Sequence, residues 1–151
     1  GWLLTNFFAL GLQAVGFQDW LSDAMGGEGM QEIVEAFTQE DDLGVLLLLC
    51  VTAVIVAPLT EEVLFRGYLY GVAKRFCGRH AAVIFSSLIF AAIHHNAMAL
   101  LPLCFLAVFL ALAYEWTGSI WAPIGIHLVF NASTVAVQFA LRFGWLSLPE
   151  V

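Results

Sequence analysis

Six residues carry side chains able to move protons or hold developing charge inside an otherwise apolar chain: Glu61, Glu62, Arg66, His94, His127 and Asn131. A carboxylate beside an imidazole can take a proton from water and make it a nucleophile toward a peptide carbonyl. A second imidazole and a carboxamide can donate to the oxyanion that forms. Glu61, His94 and His127 also make a set that could ligate a divalent metal ion such as zinc, which activates water by another route. No HExxH motif is present and the two histidines come from separate segments, so the residue types leave both chemistries open.

The surroundings make these residues expensive. Leu43 to Leu59 carries no charge, and two glutamates and an arginine follow it within seven residues. An ionisable group at membrane depth costs roughly 3 kcal/mol on insertion scales, so a chain carrying three so close together is expected to use them. The chain of 151 residues is 62% hydrophobic and 11% charged. A soluble domain has about 25% charged residues, so an integral membrane protein is expected. Net charge is −7, and eight of the twelve acids lie between Asp19 and Asp42. Such a chain lacks the basic surface that nucleic acid requires. Cys50, Cys77 and Cys104 are far apart in or beside apolar runs, which suits small helix side chains rather than a disulfide framework.

Five apolar runs must position the polar residues, giving an all-α polytopic membrane helix bundle. They are Trp2 to Phe17, Leu43 to about Phe76, Ala81 to His94, Ala97 to Tyr114, and Ser119 to about Leu141. The whole chain is expected to be a single membrane domain, with a catalytic core over about 43–141. The acidic segment 19–42 connects the first two runs and contains an amphipathic stretch, Met30, Ile33, Val34 and Phe37, at helical spacing. Glu40, Asp41 and Asp42 are placed to cap the next helix. Pro58 removes a backbone donor just before the glutamates, so a kink is expected there. Gly67 and Gly71 offer a flat strip to another helix. Gly78 should break the second run from the third, and Glu115, Thr117 and Gly118 should form a polar turn. Because the chain begins with Gly1 rather than Met, a fragment or processed form is expected.

Lys74, Arg75 and Arg79 assign the loop around Gly78 to the cytoplasm and the acidic segment to the outside; Arg142 then falls outside, against the trend. With that topology the polar residues share a level. Glu61 precedes Lys74 by 13 residues, and His94 follows Arg79 by 15. Asn131 follows Gly118 by 13. At 1.5 Å per residue each lies about 20 Å from the cytoplasmic end, with His127 nearer to about 14 Å. Within one helix, Glu62 and Arg66 are four apart and can pair, as are His127 and Asn131, and Phe90 and His94.

Glu61 and Glu62 point about 100° apart on a helix, so one should face the cavity while the other is braced. Arg66 reads as the brace. Asn131 is either an oxyanion donor or an interhelical polar contact of the kind membrane bundles use. His127 is either a site residue or a buried histidine satisfied by a carbonyl. His95 reads as a surface or capping group.

Three motifs, Glu61-Glu62-x-x-Phe65-Arg66-Gly67, Phe90-x-x-x-His94 and His127-x-x-x-Asn131, resemble those of the CPBP family of intramembrane proteases, which includes CAAX prenyl endopeptidases and bacteriocin-processing proteins. Thr117 to Pro123, before His127, also resembles the family, and the likeness runs over about Val54 to Ser133. The resemblance implies a multi-helix membrane endopeptidase. Glu61 with His94 would activate the water, Glu62 would assist or pair with Arg66, and His127 with Asn131 would form the oxyanion site. Phe90 and Arg66 would support them. The family has been described both as metalloproteases and as glutamate-based enzymes, so Glu61, His94 and His127 stay possible metal ligands. His95 adds an imidazole beside the motif histidine. The family's additional upstream helices agree with a fragment.

The expected partners are membrane lipids and a membrane-associated peptide or protein, prenylated or leader-bearing. The expected location is the plasma membrane, with the site opening toward the membrane interior or the cytoplasm. Two other classes compete: a non-catalytic membrane protein for bacteriocin immunity or partner scaffolding, and a proton-coupled transporter. The transporter calls for repeats or paired discontinuous helices, which the sequence does not display.

Overall fold

The computed structural model describes residues 40–94 and 99–146. The expected first helix, nearly all of the acidic segment, His95 and Asn96 lie outside these residues. Among the described residues the structure is helical, with no strand.

Asp42 opens the bundle as expected. Its Oδ1 accepts the N–H groups of Gly44 at 2.7 Å and Val45 at 3.2 Å, and Glu40 Oε1 accepts the N–H of Asp42 at 2.9 Å. Helix α1 (Leu43–Val51) passes into a wider π-helical turn, Thr52–Val56, and then into α2 (Ala57–Glu62). Here Pro58 is accommodated by a π turn, and the Thr60 hydroxyl donates to the carbonyls of Val56 and Ala57 at 2.9 and 3.0 Å. A second π-helical segment, Val63–Tyr70, leads into α3 (Gly71–Ala92). Helices α4 (Leu100–Thr117) and α5 (Trp121–Arg142) complete the described chain.

From Leu43 to Ala92 the helical stretch is 50 residues long. Straight, it would extend about 75 Å, more than twice a hydrocarbon core. It does not run straight. Gly78 lies inside α3 with φ 77° and ψ 172°, a backbone conformation that glycine adopts without a Cβ penalty. Phe65 and Phe90, 25 residues apart, bring their ring centroids to 5.0 Å, so the chain folds back at Gly78 into two antiparallel limbs. With α4 and α5, three helical stretches among the described residues are long and apolar enough to cross a membrane.

Two clusters hold the limbs to α4. One is Phe65, Phe90 and Ala107; the other is Tyr70, Ala73, Ala82, Val83 and Ala111. Lipid is as apolar as leucine, so close packing and hydrogen bonds bring membrane helices together, and the alanines permit close approach. The outer faces stay apolar, with Leu48, Phe76 and Val129 all exposed. Gly67 meets the expectation of close approach only in part: a Cβ there would lie 3.5 Å from Ile120 Cδ1, whereas one on Gly71 would meet nothing within 4 Å. Gly71 instead lines an open cavity of about 750 Å³ with Tyr68, Lys74 and Tyr114.

Charges mark the ends of the bundle. Arg142 pairs with Asp41 at 3.2 Å, which puts it beside the acidic end. Lys74 and Arg79 meet Glu115 at the other end. Glu115 belongs to the last turn of α4 rather than to the polar turn expected from sequence. The helix continues to Thr117, whose hydroxyl donates to the Ala113 carbonyl at 2.7 Å, and ends on Gly118 in the left-handed conformation.

Candidate active site

Glu62 lies at the centre of the buried polar network. It is fully buried, and its Oε1 accepts from Arg66 Nη1 at 2.8 Å and from His127 Nδ1 at 2.9 Å. The first bond follows the four-residue spacing; the second crosses 65 residues and joins α2 to α5. Arg66 Nη2 donates to the Ala107 carbonyl of α4 at 2.8 Å. Its guanidinium carbon lies 5.1 Å from the centre of the Phe90 ring. One arginine therefore ties together the segment carrying the glutamates, the limb carrying Phe90, and α4. A buried charge pair is tolerated only with such geometry, because each ion has lost its water.

Phe90 is completely buried and touches most of the site. Its ring centroid is 4.8 Å from that of His94 and 5.8 Å from that of His127. Its carbonyl accepts from His94 Nδ1 at 2.7 Å. A carbonyl cannot donate, so His94 carries its proton on Nδ1. The same reasoning holds for His127 against the Glu62 carboxylate. In both rings, Nε2 is left to face Glu61.

Glu61 is the less buried of the two glutamates, with a quarter of its side chain exposed. Its Oε2 lies 3.9 Å from His94 Nε2 and 3.8 Å from His127 Nε2, and it makes no hydrogen bond. These distances exceed hydrogen-bond reach. The three groups come from α2, from the turn just after α3, and from α5. The structure thus brings together Glu61, Glu62, Arg66, Phe90, His94 and His127. His94 lies on the turn after Ala92 rather than within the helix.

Asn131 sits one turn along α5 from His127, and its Nδ2 donates to the Ala53 carbonyl at 2.8 Å. This is the interhelical contact that sequence reasoning left open. It occupies one of the two amide hydrogens. The carbonyls of Ala53 and Ala107 and the Glu62–His127 bond were not found from sequence. A backbone acceptor has no side-chain signature, although Pro58 signals that a carbonyl near Ala53 has lost its donor.

Glu61, His94 and His127 have the donor types of a zinc site, and both imidazoles direct Nδ1 to an acceptor as metal-bound histidines do. Their spacing does not fit. Two neighbouring ligands of a tetrahedral zinc at 2.0–2.1 Å lie about 3.3 Å apart, whereas both Nε2 atoms stand 3.8 Å or more from Glu61 Oε2. Among the described residues no three His, Cys, Asp or Glu side chains are grouped to hold a metal ion.

Helical membrane bundle and buried carboxylate–imidazole centre together define a class: a polytopic membrane protein with ionisable chemistry inside the bundle. Residues 43–133 match the family described as type II CAAX prenyl endopeptidase Rce1-like. The chain belongs to this family. It is 36% identical over 91 residues to the membrane-embedded CAAX protease MroQ of Staphylococcus aureus (strain USA300), covering 56% of this chain and 36% of that protein. It is 32% identical over 91 residues to YdiL, a candidate membrane peptidase of Bacillus subtilis (strain 168), covering 60% of this chain and 37% of that protein. The chain spans little more than a third of the length of these relatives. No solved structure matches it significantly.

Proposed function

We propose that this chain carries the hydrolytic centre of an intramembrane endopeptidase that cuts a membrane-associated protein, prenylated or leader-bearing. The observation that supports it most is the unpartnered Glu61 Oε2 facing two imidazole nitrogens across gaps of 3.8 and 3.9 Å. A polar gap of that width suits a bridging water. The water donates one proton to Glu61, assisted by His94 Nε2, while its oxygen attacks the scissile carbonyl. Since its Nδ1–H is committed to Glu62, His127 donates to the oxyanion from Nε2 after that nitrogen has taken a proton from solvent, before the substrate enters. The Glu62 carboxylate stabilises the resulting imidazolium. The second amide hydrogen of Asn131 completes the oxyanion site. As the C–N bond breaks, the proton held by Glu61 passes to the leaving amine. Glu62, Arg66 and Phe90 fix the imidazoles throughout. No step here uses a metal.

The protein works as an integral protein of the plasma membrane, its site opening to the bilayer interior or the cytoplasmic side, where Lys74, Arg75 and Arg79 lie. The test uses the intact protein in lipid nanodiscs with a farnesylated CAAX-type reporter peptide. Glu61→Gln is expected to lower the cleavage rate about 10²–10⁴-fold, the weight of general acid–base catalysis, with thermal stability little changed. Full cleavage by Glu61→Gln would sink Glu61 as the base, whereas a wild type that cleaves nothing would return the chain to a non-catalytic immunity or scaffolding role. Metal analysis of the same preparation, with a chelator arm, separates the two hydrolytic routes. Stoichiometric zinc with chelator-sensitive cleavage would replace the glutamate–histidine water by metal ligation through Glu61, His94 and His127.

A further inference from the structure

We infer that Asn131, besides its second amide hydrogen in the oxyanion site, has a positioning role: its side-chain amide stands in for the backbone N–H that Pro58 lacks and so fixes which glutamate enters the site. This rests on the hydrolytic reading for its catalytic consequence, but not for its geometry.

In the turn Thr52–Val56 the Ala57 N–H reaches back five residues to the Thr52 carbonyl. That register assigns the Ala53 carbonyl to the N–H of residue 58, which is a proline and has none. In a helix interior facing lipid, an acceptor without a donor is costly. Asn131 Nδ2 fills the place from α5 at 2.8 Å. Since a carbonyl only accepts, the atom facing it must be the amide nitrogen.

The bond fixes a rotation. A π turn holds one residue more than an α turn, so closing it would rotate everything after it by about 100°. That is also the angle between Glu61 and Glu62. The register of the turn therefore decides which carboxylate lies against the two Nε2 atoms and which receives His127 Nδ1. Helix α5 clamps the glutamate segment at two points: Asn131 holds Ala53 before Pro58, and His127 holds Glu62 after it. The two clamping residues are one turn apart on one face of α5.

The intact protein in nanodiscs tests this with Asn131→Ala, Pro58→Ala and the double variant. Hydrogen exchange at the amides of Leu59 to Glu62 is expected to speed up roughly fivefold to tenfold in Asn131→Ala, the weight of one hydrogen bond. Pro58→Ala restores an N–H that faces Ala53 in the five-residue register, so the double variant is expected to exchange near the wild-type rate. Unchanged exchange in Asn131→Ala, or no recovery in the double variant, overturns the inference. Asn131→Leu, which keeps the size but has no donor, serves if Pro58→Ala fails to fold: it should exchange at least as fast as Asn131→Ala, and wild-type exchange overturns the inference. Cleavage of the farnesylated reporter gives the second readout. Asn131→Ala should lower kcat through both roles, and the double variant should regain only the positioning share, because the oxyanion donor is still missing. Recovered exchange with kcat no higher than in Asn131→Ala overturns the positioning role and leaves Asn131 as an oxyanion donor alone. If the wild type cleaves nothing, the hydrolytic reading fails, while exchange still decides the clamp.

Discussion

Glu62 and Glu115 are both carboxylates set between two basic groups, yet they sit in opposite surroundings. Glu62 is fully buried and shares one oxygen between Arg66 and His127, themselves nearly inaccessible. Glu115 is 13% exposed, and its partners Lys74 and Arg79 are 44% and 48% exposed. The charge arithmetic is alike, but the physics differs. Around Glu115 water and salt screen the pairing, and long side chains lose entropy to make it. Around Glu62 no water replaces a lost partner. The buried network therefore specifies an arrangement of helices, whereas the exposed one only decorates an end of the bundle.

The comparison breaks most readily at Arg66. Arg66→Leu leaves Glu62 buried and frees the Ala107 carbonyl, so it is expected to destabilise the bundle by about 3–5 kcal/mol, the cost of an uncompensated buried charge. Thermal unfolding in nanodiscs measures this. A loss below about 1 kcal/mol would mean that the two networks are equivalent after all. The double variant Arg66→Leu with Glu62→Leu should recover much of the loss, because apolar groups of similar shape often replace a buried pair without penalty.

A smaller effect is expected at His127. His127→Leu leaves Glu62 its arginine and removes only one hydrogen bond to a charged group, about 1.5–3 kcal/mol. It separates stability from rotation. The helix holding the glutamates should unfold at a moderately lower temperature, while a cysteine cross-linking scan between α2 and α5 reports whether α2 has turned. An unshifted cross-linking pattern would leave Asn131 as the sole clamp.

How far these features were legible in sequence depends on whether they live within one helix or between two. Glu62 and Arg66 pair because four residues make about one turn, which sequence spacing states directly. Glycine at 78 marked the fold-back, and the common level of Glu61 and His94 followed from counting residues to the basic loop; counting from Gly118 put Asn131 at that level and His127 short of it, whereas the structure brings His127 to Glu61. Rotation of one helix against another is different. Whether Glu61 or Glu62 faces the imidazoles depends on a π turn whose extra residue leaves no mark but Pro58. Arg66 reaching Ala107, and Asn131 reaching Ala53, use backbone acceptors that every residue possesses. Glu115 was misplaced by a turn because polar side chains at a helix end resemble a loop. Only Gly118, with φ 65°, sets the true end.

The smallest effect is expected at Glu115, and it sharpens the comparison from the other side. Glu115→Gln removes the partner of both Lys74 and Arg79 but leaves no charge without water, since both cations are about half exposed. The expected change is about 0–1 kcal/mol in thermal stability. It should also shrink further when ionic strength rises from 0.1 to about 1 M, where the screening length falls from roughly 10 to 3 Å. Arg66→Leu should show no such salt dependence, because ions do not reach Glu62. A Glu115 effect as large as that of Arg66, or one insensitive to salt, would show that the exposed cluster also holds helices in register: Lys74 and Glu115 lie 41 residues apart and join α3 to α4. Burial, rather than the number of charges brought together, would then have lost its claim to distinguish the two networks.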